Sequence, residues 1–316
     1  MNNVRKIFKT IIMKTEVTAT TYRKIRGMYL KHYLSDIKLI QKKYERKLGR
    51  SLNITEPLFY NDKLQWLKLY WDNPLAKVCA DKFEVRGYVK DTIGETYLNE
   101  LYGVYDAVED ININELPDSF VLKATHGSGF NIICKDKKKM DWDKEFKKMR
   151  LWLKENYYLY NREWVYRDLM PRIVCEKLLE QGEGAELQDY RFFCFAGEPK
   201  FISVDFNITD KKKTRRNLYD LNWELMSQEI SYPKELNIKV EKPRKLAEMI
   251  ALSKILSRDF PHARVDFYYI KERILFGEIT FFHQSGMGII KPEQFEMKMG
   301  EWLDLPQGNI REDLNN

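Results

Sequence analysis

Lys123, Gly127 and Gly129 stand in FVLKATHGSGFNIICKD, residues 120–136, where two β-prone runs, Phe120 to Ala124 and Asn131 to Cys134, flank a short glycine loop. Glycines beside lysines suit phosphate: bare backbone N–H groups approach the oxygens while ammonium groups neutralise them. The phosphate loops of mononucleotide and dinucleotide folds run into helices and need a glycine pattern that is missing here. A strand, loop and strand instead make a flap, the device with which protein kinases cover ATP, but no HRD or DFG triplet follows. Standing alone, the loop would equally be an ordinary hairpin turn.

A second group lies in RVDFYYIKERILFGEIT, residues 264–280. Asp266 and Glu278 fall on successive strands, and Arg264, two residues before Asp266, shares its face. Two carboxylates pointing one way repel unless a cation lies between them. Mg²⁺ takes hard oxygen ligands of this kind. Arg264 or Lys271 would answer them without a metal. Joined to a phosphate loop, the pair reads as a metal site. No Ser-His-Asp or Cys-His nucleophile set accompanies it. Of the four histidines, His126 falls in the flap and His283 after the second strand. Either would serve as a base or as a hydrogen-bonded loop histidine.

The elements that must position these groups form an α+β layout. Apolar side chains from Tyr22 to Leu48 recur in steps of three or four, predicting a helix that stops at Gly49. NDKLQWLKLYWDNP predicts a helix ending before Pro74, with Asn73 and Pro74 opening the next. ADKFEVRGYVKDTIG predicts a helical run to Gly94. Charged residues Trp142 to Glu155 predict another helix, and Lys242 to Ser257 a further one. RIVCEKLLE, DYRFFCFAGEPKFISVDF and ARVDFYYIKERILFGEITFF read as strands, with turns near Gly197-Glu198 and Lys271-Glu272. Two sheets in two lobes are expected.

At 316 residues and 44% hydrophobic, the chain can bury one sizeable core or two moderate ones. Cys79, Cys134, Cys175 and Cys194 form no CxxC and sit in apolar runs, so neither a disulfide frame nor a zinc site is implied and a reducing, cytoplasmic setting is expected. No run approaches the ~18 apolar residues of a membrane span. Residues 1–50 carry fourteen Lys or Arg against three Asp or Glu, so the rest is net acidic although the whole chain is +7. The basic helix is either docked with a solvated basic side or a surface that meets anionic lipid or an acidic polymer. DKKKTRR, Asp210 to Arg216, is a solvated loop or a grip on an anionic acceptor. An acidic body without a recognised nucleic-acid module excludes nucleic acid as partner.

Taken in order, these motifs resemble the ATP-grasp fold, and within it the group named after the teichuronopeptide biosynthesis protein TupA. The resemblance runs from about Phe59 to Leu305 and rests on NDKLQWLKLY, ADKFEVRGYVKDTIG, LPDSFVLKATHGSGFNIICKD, PRIVCEKLLE, DYRFFCFAGEPKFISV and GEITFFHQSGMGIIKPEQFEMKMGEWL. It implies two α+β lobes clasping a nucleotide. A basic helical arm would occupy 1–55, the part with the phosphate flap 56–175, and the lobe with adenine hinge and metal site 176–316. Lys123 would then reach the α and β phosphates, and the His126 to Phe130 loop, with Gly127, Ser128 and Gly129, would cover the β and γ phosphates. Arg86 stands where a second phosphate-binding lysine is common. Glu176 would face the adenine amino group, the backbone of Lys177 to Leu179 the ring edge, and Asp189 the ribose. Asp266 and Glu278 would hold Mg²⁺, with Thr280 where an asparagine ligand is usual. Arg264 would face the transferring phosphoryl group, with Lys123 and His126 completing the catalytic set. Ser285, Gly286 and Gly288 would turn backbone N–H groups toward the acceptor.

The resemblance further implies an ADP-forming ligase that activates a carboxylate as an acyl phosphate and joins it to an amine, in cell-surface polysaccharide biosynthesis. The partners would be a sugar or sugar-acid acceptor and an amino acid or amine donor, with peripheral contact of the basic arm at the inner membrane face. An ATP-dependent sugar kinase would use the same lysines and metal. A glycosyltransferase using a nucleotide sugar would use the carboxylates but has no need of the flap. A non-catalytic glycan binder would need neither.

Overall fold

Residues 35–181, 187–206, 212–238 and 240–307 are described by a computed structural model. Helix α1 (Asp36–Leu48) is the described part of the helix expected from Tyr22; residues 22–34 lie outside the described residues. It buries Leu39, Ile40 and Tyr44 and stops at Gly49, whose φ of 73° is the left-handed position that favours glycine. Helix α2 (Tyr60–Tyr70) is followed by α3 (Pro74–Ala80), opened as expected by Asn73, whose side chain accepts the Leu75 N–H at 2.9 Å. The helical run expected through ADKFEVRGYVKDTIG is instead interrupted. Asp81 accepts the N–H groups of Phe83 and Glu84 at 2.8 and 3.0 Å, and α4 begins only at Val85 (Val85–Thr92). Local side-chain bonds of this kind compete with helix continuation. Here they free Lys82 from helical spacing.

The smaller sheet is antiparallel, ordered β1-β4-β2-β3, from β1 (Leu101–Tyr105), β2 (Phe120–Ala124), β3 (Asn131–Cys134) and β4 (Ile173–Lys177). Helices α5 (Trp142–Trp152) and α6 (Tyr158–Asn161) intervene before β4. Phe120, Leu122 and Ala124 of β2, Ile132 and Cys134 of β3, and Ile173 and Cys175 of β4 pack with Met149 and Trp152 into one core. Alternation then leaves Val121, Lys123, Val174 and Glu176 on the other face.

The larger sheet, ordered β10-β9-β5-β6-β7, joins β5 (Asp189–Phe195), β6 (Glu198–Phe206), β7 (Arg215–Tyr219), β9 (His262–Ile270) and β10 (Arg273–Thr280). A short pair, β8 (Glu229–Ile230) with β11 (Ile290–Lys291), lies beside it. Helices α7 (Leu246–Ser257) and α8 (Glu293–Trp302) complete the chain. Its core holds Phe192, Phe201, Val265 and Phe267 together with Tyr60, Leu64, Trp71, Val85 and Val89. The expected division is at 56–175 and 176–316. Helices α2 to α4 pack into the core of the larger sheet, and the boundary at 175 falls within β4. The four cysteines are free and buried, as small hydrophobes would be.

Beneath this sheet His262 is fixed as a neutral ring. The carbonyl of Cys194 can only accept, so Nδ1 carries the proton (2.8 Å), and Nε2 accepts from the Tyr60 hydroxyl at 2.8 Å. Burial pulls its pKa down to about 3. With the folded value below the unfolded one, the unfolded chain binds more protons between pH 6.5 and 3, so stability falls as pH falls through that window. The expected slope is about 1.4 kcal/mol per pH unit from this residue alone. Urea unfolding at pH 7 and pH 5 of the parent and of His262→Gln checks it; equal pH dependence in both would refute the assignment.

Candidate active site

One face of the larger sheet carries a continuous row of charge. In register, Glu278 of β10 lies opposite Asp266 of β9, Asp266 opposite Arg191 of β5, and Asp205 of β6 opposite Arg216 of β7. The register of β10 shifts between Phe276 and Glu278, and a Cβ on the intervening Gly277 would come within 3.0 Å of the Asp266 carbonyl. This bulge re-aims Glu278 onto the face of Asp266.

Arg264 joins the row together. Its Nε and Nη2 donate to the two Asp266 oxygens at 2.7 and 2.6 Å, and Nη2 donates to Glu278 Oε1 at 2.7 Å. Arg191 donates to Asp189 at 2.7 Å and to Asp205. Arg216 takes both Asp205 oxygens at 2.6 Å. The two ring nitrogens of His283 meet Arg264 Nη1 at 2.8 Å and Arg216 Nη1 at 3.2 Å. A neutral imidazole has one lone pair, so it accepts from one guanidinium at a time. Burial and the two arginines hold His283 well below its ordinary pKa. It is a neutral spacer between cations and is unsuited to serve as a base that takes up a proton.

A second set of cations lies beside this row: Lys123 of β2, Arg86 of α4 and Lys82 of the turn before α4. Lys123 Nζ donates to Glu176 Oε2 at 2.7 Å, and Arg86 Nη1 to Glu176 Oε1 at 3.1 Å. Lys82 donates to the carbonyl of Gly127. Burial pulls the Lys82 ammonium down, with Lys123 pushing the same way and Glu278 opposing. Burial pushes Glu278 up, but Arg264, Lys82 and Arg191 outweigh it and hold its carboxyl below the ordinary value. Lys82 thus acts on both sheets at once.

The flap is tied at its roots and open at its tip. Ala124 N–H donates to the Phe130 carbonyl at 3.0 Å, and the Lys82 N–H to the Thr125 carbonyl at 3.2 Å. Gly127 is required by close approach: a Cβ there would lie 2.7 Å from the ring of Tyr157. Gly129 has φ 79°, and it and Ser128 are exposed.

Lys123, Arg86 and Glu176 are therefore brought together beneath the flap, and Arg264, Asp266 and Glu278 form one cluster opposite. Other expectations fare differently. His126 is buried, its Nε2–H donating to the Trp152 carbonyl at 3.0 Å, so of the two readings its position allowed the geometry is that of the hydrogen-bonded loop histidine. Thr280 Oγ1 donates to Glu278 Oε1 at 3.0 Å and acts through that carboxylate. Among the described residues no group of three or more His, Cys, Asp or Glu is placed to hold a metal ion; the cation between Asp266 and Glu278 is Arg264. Asp189 pairs with Arg191, and Lys177 extends to Glu100 at 3.0 Å while Leu179 follows on the strand's exit. Lys135 shares the face of Lys123 but lies four residues beyond its partner Asn131, about 13 Å along the strand.

Sequence reasoning missed Lys82, Arg191, Asp205 and Arg216. Arg216, read within a solvated charge run, is buried against Asp205. The Asp-Tyr-Arg spacing at 189–191 was the available signal for Arg191, since it puts two opposite charges on one strand face. A buried Lys68 was missed too: it donates to the Ser285 hydroxyl and carbonyl at 2.7 and 2.6 Å, with burial pulling it down to about 7.

A family model for TupA-like ATP-grasp proteins matches residues 62–304. A comparison with curated proteins gives no match. Among solved structures, D-alanine–D-alanine ligase from Bacillus anthracis in complex with ATP is similar at 15% identity and TM-score 0.48, over 86% of this chain and 82% of that one. The corresponding ligase from Helicobacter pylori is similar at 14% identity and TM-score 0.40, over 78% and 69%. The ATP-grasp ligase PsnB with its minimal precursor is similar at 8% identity and TM-score 0.41, over 74% and 62%.

Proposed function

The chain belongs to the TupA-like ATP-grasp family, and from that premise we propose that it is an ATP-dependent, ADP-forming ligase joining a carboxylate to an amine. The observation that carries the reading is the pairing of three cations, Lys82, Lys123 and Arg86, under a glycine flap with the Arg264–Asp266–Glu278 cluster on the facing sheet. Such an arrangement holds a polyphosphate at one side and meets developing negative charge at the other.

ATP is a substrate in this reading. A substrate carboxylate oxygen takes the γ-phosphoryl group, ADP leaves, and the amine nitrogen displaces phosphate from the acyl phosphate to form an amide and release a proton. Lys123 and Lys82 neutralise the polyphosphate, and Arg264 faces the transferring group. Mg²⁺, held from the protein side by Glu278, would supply positive charge against the polyphosphate. The donor set fits it in part: Glu278 has 42% of its side chain exposed and can turn an oxygen to the ion, while both Asp266 oxygens are held by Arg264. We place the reaction in cell-surface polysaccharide synthesis on the family's resemblance in context, with a sugar or sugar-acid acceptor and an amino acid or amine donor. The same reading puts it inside the cell, its basic arm against the membrane face; among the described residues no helix is long and apolar enough to cross a membrane. The one Asp-x-Asp of the chain, Asp141-Trp142-Asp143, opens α5, where Asp141 accepts the Lys144 N–H at 3.1 Å. It caps a helix, which takes away a feature that the nucleotide-sugar reading could use.

Thermal unfolding with ADP, ATP and UDP, followed by ADP release in the presence of carboxylates and hydroxylamine, tests the reading. Adenine nucleotides should raise the midpoint by mass action and lose that effect in Lys123→Ala. Stabilisation by UDP alone would overturn the ATP site. ADP release without hydroxamate would leave the ATP site and overturn the ligase.

A further inference from the structure

Amide formation in the proposed reaction releases a proton, and neither histidine of the site is placed to take it. His126 donates to the Trp152 carbonyl, and His283 is held neutral between two arginines. A buried group outside the charged row is better placed. Lys68 of α2 has three acceptors around its Nζ: the Ser285 carbonyl at 2.6 Å, the Ser285 hydroxyl at 2.7 Å and the Asn161 carbonyl at 3.3 Å. The Ser285 carbonyl does not depend on this lysine, since Gln65 also donates to it at 3.1 Å.

Two of these partners can only accept, whereas a hydroxyl both accepts and donates. An ammonium gives its three protons to all three. A neutral amine gives two protons to the carbonyls and turns its lone pair to the Ser285 O–H. Rotation of one hydroxyl satisfies either state, so Lys68 gains or loses a proton without leaving a buried polar group unpaired. Glu163, buried beside them, bonds Ser285 and so offers the hydroxyl proton a second acceptor while Lys68 is charged. Burial pulls Lys68 down to about 7, with Lys43 of α1 pushing the same way and Glu163 opposing. Both states of Lys68 are then populated near neutral pH.

Ser285 is not sealed in. With Asn161, Gln284 and Met287 it lines a cavity of about 280 Å³ against the Lys43, Arg46 and Lys47 side of α1. The turn that carries it begins at His283, which meets Arg264 at 2.8 Å. Burial, Glu163 and Glu278 together hold the Tyr166 phenol well above its ordinary pKa, so both carboxylates are near that one ring. The pair of Lys68 and Ser285 therefore stands one short turn from the cluster proposed to face the transferring phosphoryl group.

We infer that Ser285 takes the proton of the donor amine as the amide forms and passes its own hydroxyl proton to Lys68. The amine nitrogen bonds the acyl carbon, the bond from that carbon to the phosphate oxygen breaks, and its electron pair leaves with phosphate. One N–H proton moves to Ser285 Oγ while the Ser285 O–H proton moves to the Lys68 lone pair. Lys68 afterwards returns the proton through the hydroxyl to solvent. Naming the amine as the source rests on the ligase reading; the hydroxyl–amine pair does not.

The pair is tested first without nucleotide, by reaction of the full chain with methanesulfonyl fluoride. An Oγ–S bond forms, fluoride leaves with its electron pair, and Lys68 takes the hydroxyl proton. Peptide mass should place the label on Ser285. Its rate should rise with pH through about 7 and then level off, as Lys68 becomes neutral. Lys68→Arg keeps a charged donor that does not give up its proton at these pH values, and Lys68→Met has no nitrogen; both should slow labelling by about 10²-fold or more. No label on Ser285, a rate that climbs with hydroxide and never levels, or equal labelling in the Lys68 variants would overturn the pair. The levelling is read on the parent alone, so a variant that fails to fold does not shield the inference. The role is tested with hydroxylamine as the amine of the assay above. Ser285→Ala should slow hydroxamate formation by about 10²-fold and lower the preceding release of ADP far less; equal loss in both would overturn the proton transfer. A chain labelled at Ser285 through Lys68 that releases no ADP with any carboxylate would sink the ligase reading and leave the pair standing.

Discussion

Replacement of Arg264 by Gln is expected to lower turnover by about 10²–10³-fold, the usual cost of removing a fixed donor from the place where negative charge develops. Nucleotide affinity should change far less, because Lys82, Lys123 and Arg86 are untouched. The reason for so large an effect is geometric. Arg264 is the only group seen to touch Asp266, Glu278 and His283 together among the described residues. Gln offers one amide in place of a planar fork and cannot hold both carboxylates.

The same substitution should cost less stability than a broken buried ion pair usually does, which is about 3–5 kcal/mol. Burial drives the Asp266 acid up to about 7 even with the arginine beside it. Without Arg264 the carboxyl takes a proton at neutral pH and its charge is no longer buried unpaired. The fold therefore survives to be assayed. Arg264→Lys restores charge without the bidentate geometry and should recover stability more than turnover. Urea unfolding beside steady-state kinetics separates the two. A variant that turns over normally while unfolding early would make Arg264 a structural residue and remove it from the chemistry.

The parts of this site that local pattern governs were legible in the sequence. β-prone runs placed β2 and β3 at the observed bounds and Asp266 and Glu278 on paired strands, because strand propensity and a strand's period of two are written in its own residues. What escaped depends on distant pairing. Arg216 reads as one more cation in a basic run until β7 pairs with β6 and sets it opposite Asp205. Residues 60–92 read as part of the flap lobe until they are seen to bury Tyr60, Leu64 and Val89 against a sheet built from residues 189–280. His126 could be read as a base or as a hydrogen-bonded loop histidine; the Trp152 carbonyl that accepts its N–H comes from a helix over twenty residues away. Lys82 was hidden by a helical pattern that Asp81 interrupts through two hydrogen bonds no periodicity reveals.

For Lys82→Met we expect two effects of opposite sign. The free protein should become more stable, because burial holds the folded pKa of Lys82 below its unfolded value and the charged form is therefore a cost of folding at neutral pH. Nucleotide affinity should fall by about 10–100-fold, the worth of a charge-assisted hydrogen bond in a site of this kind. A pH signature accompanies the second effect. Phosphate brought against Lys82 raises its pKa, so binding takes up a proton wherever the free ammonium is already losing one. Affinity of the parent for ADP should then decline as pH rises on the alkaline side of neutrality, and the methionine variant should lack that part of the slope. Thermal unfolding from pH 7 to 9.5, with and without ADP, reads all three quantities in one experiment. A variant stabilised by ADP as strongly as the parent, at every pH, would show that Lys82 holds only the flap carbonyl of Gly127 and leaves the polyphosphate to Lys123 and Arg86.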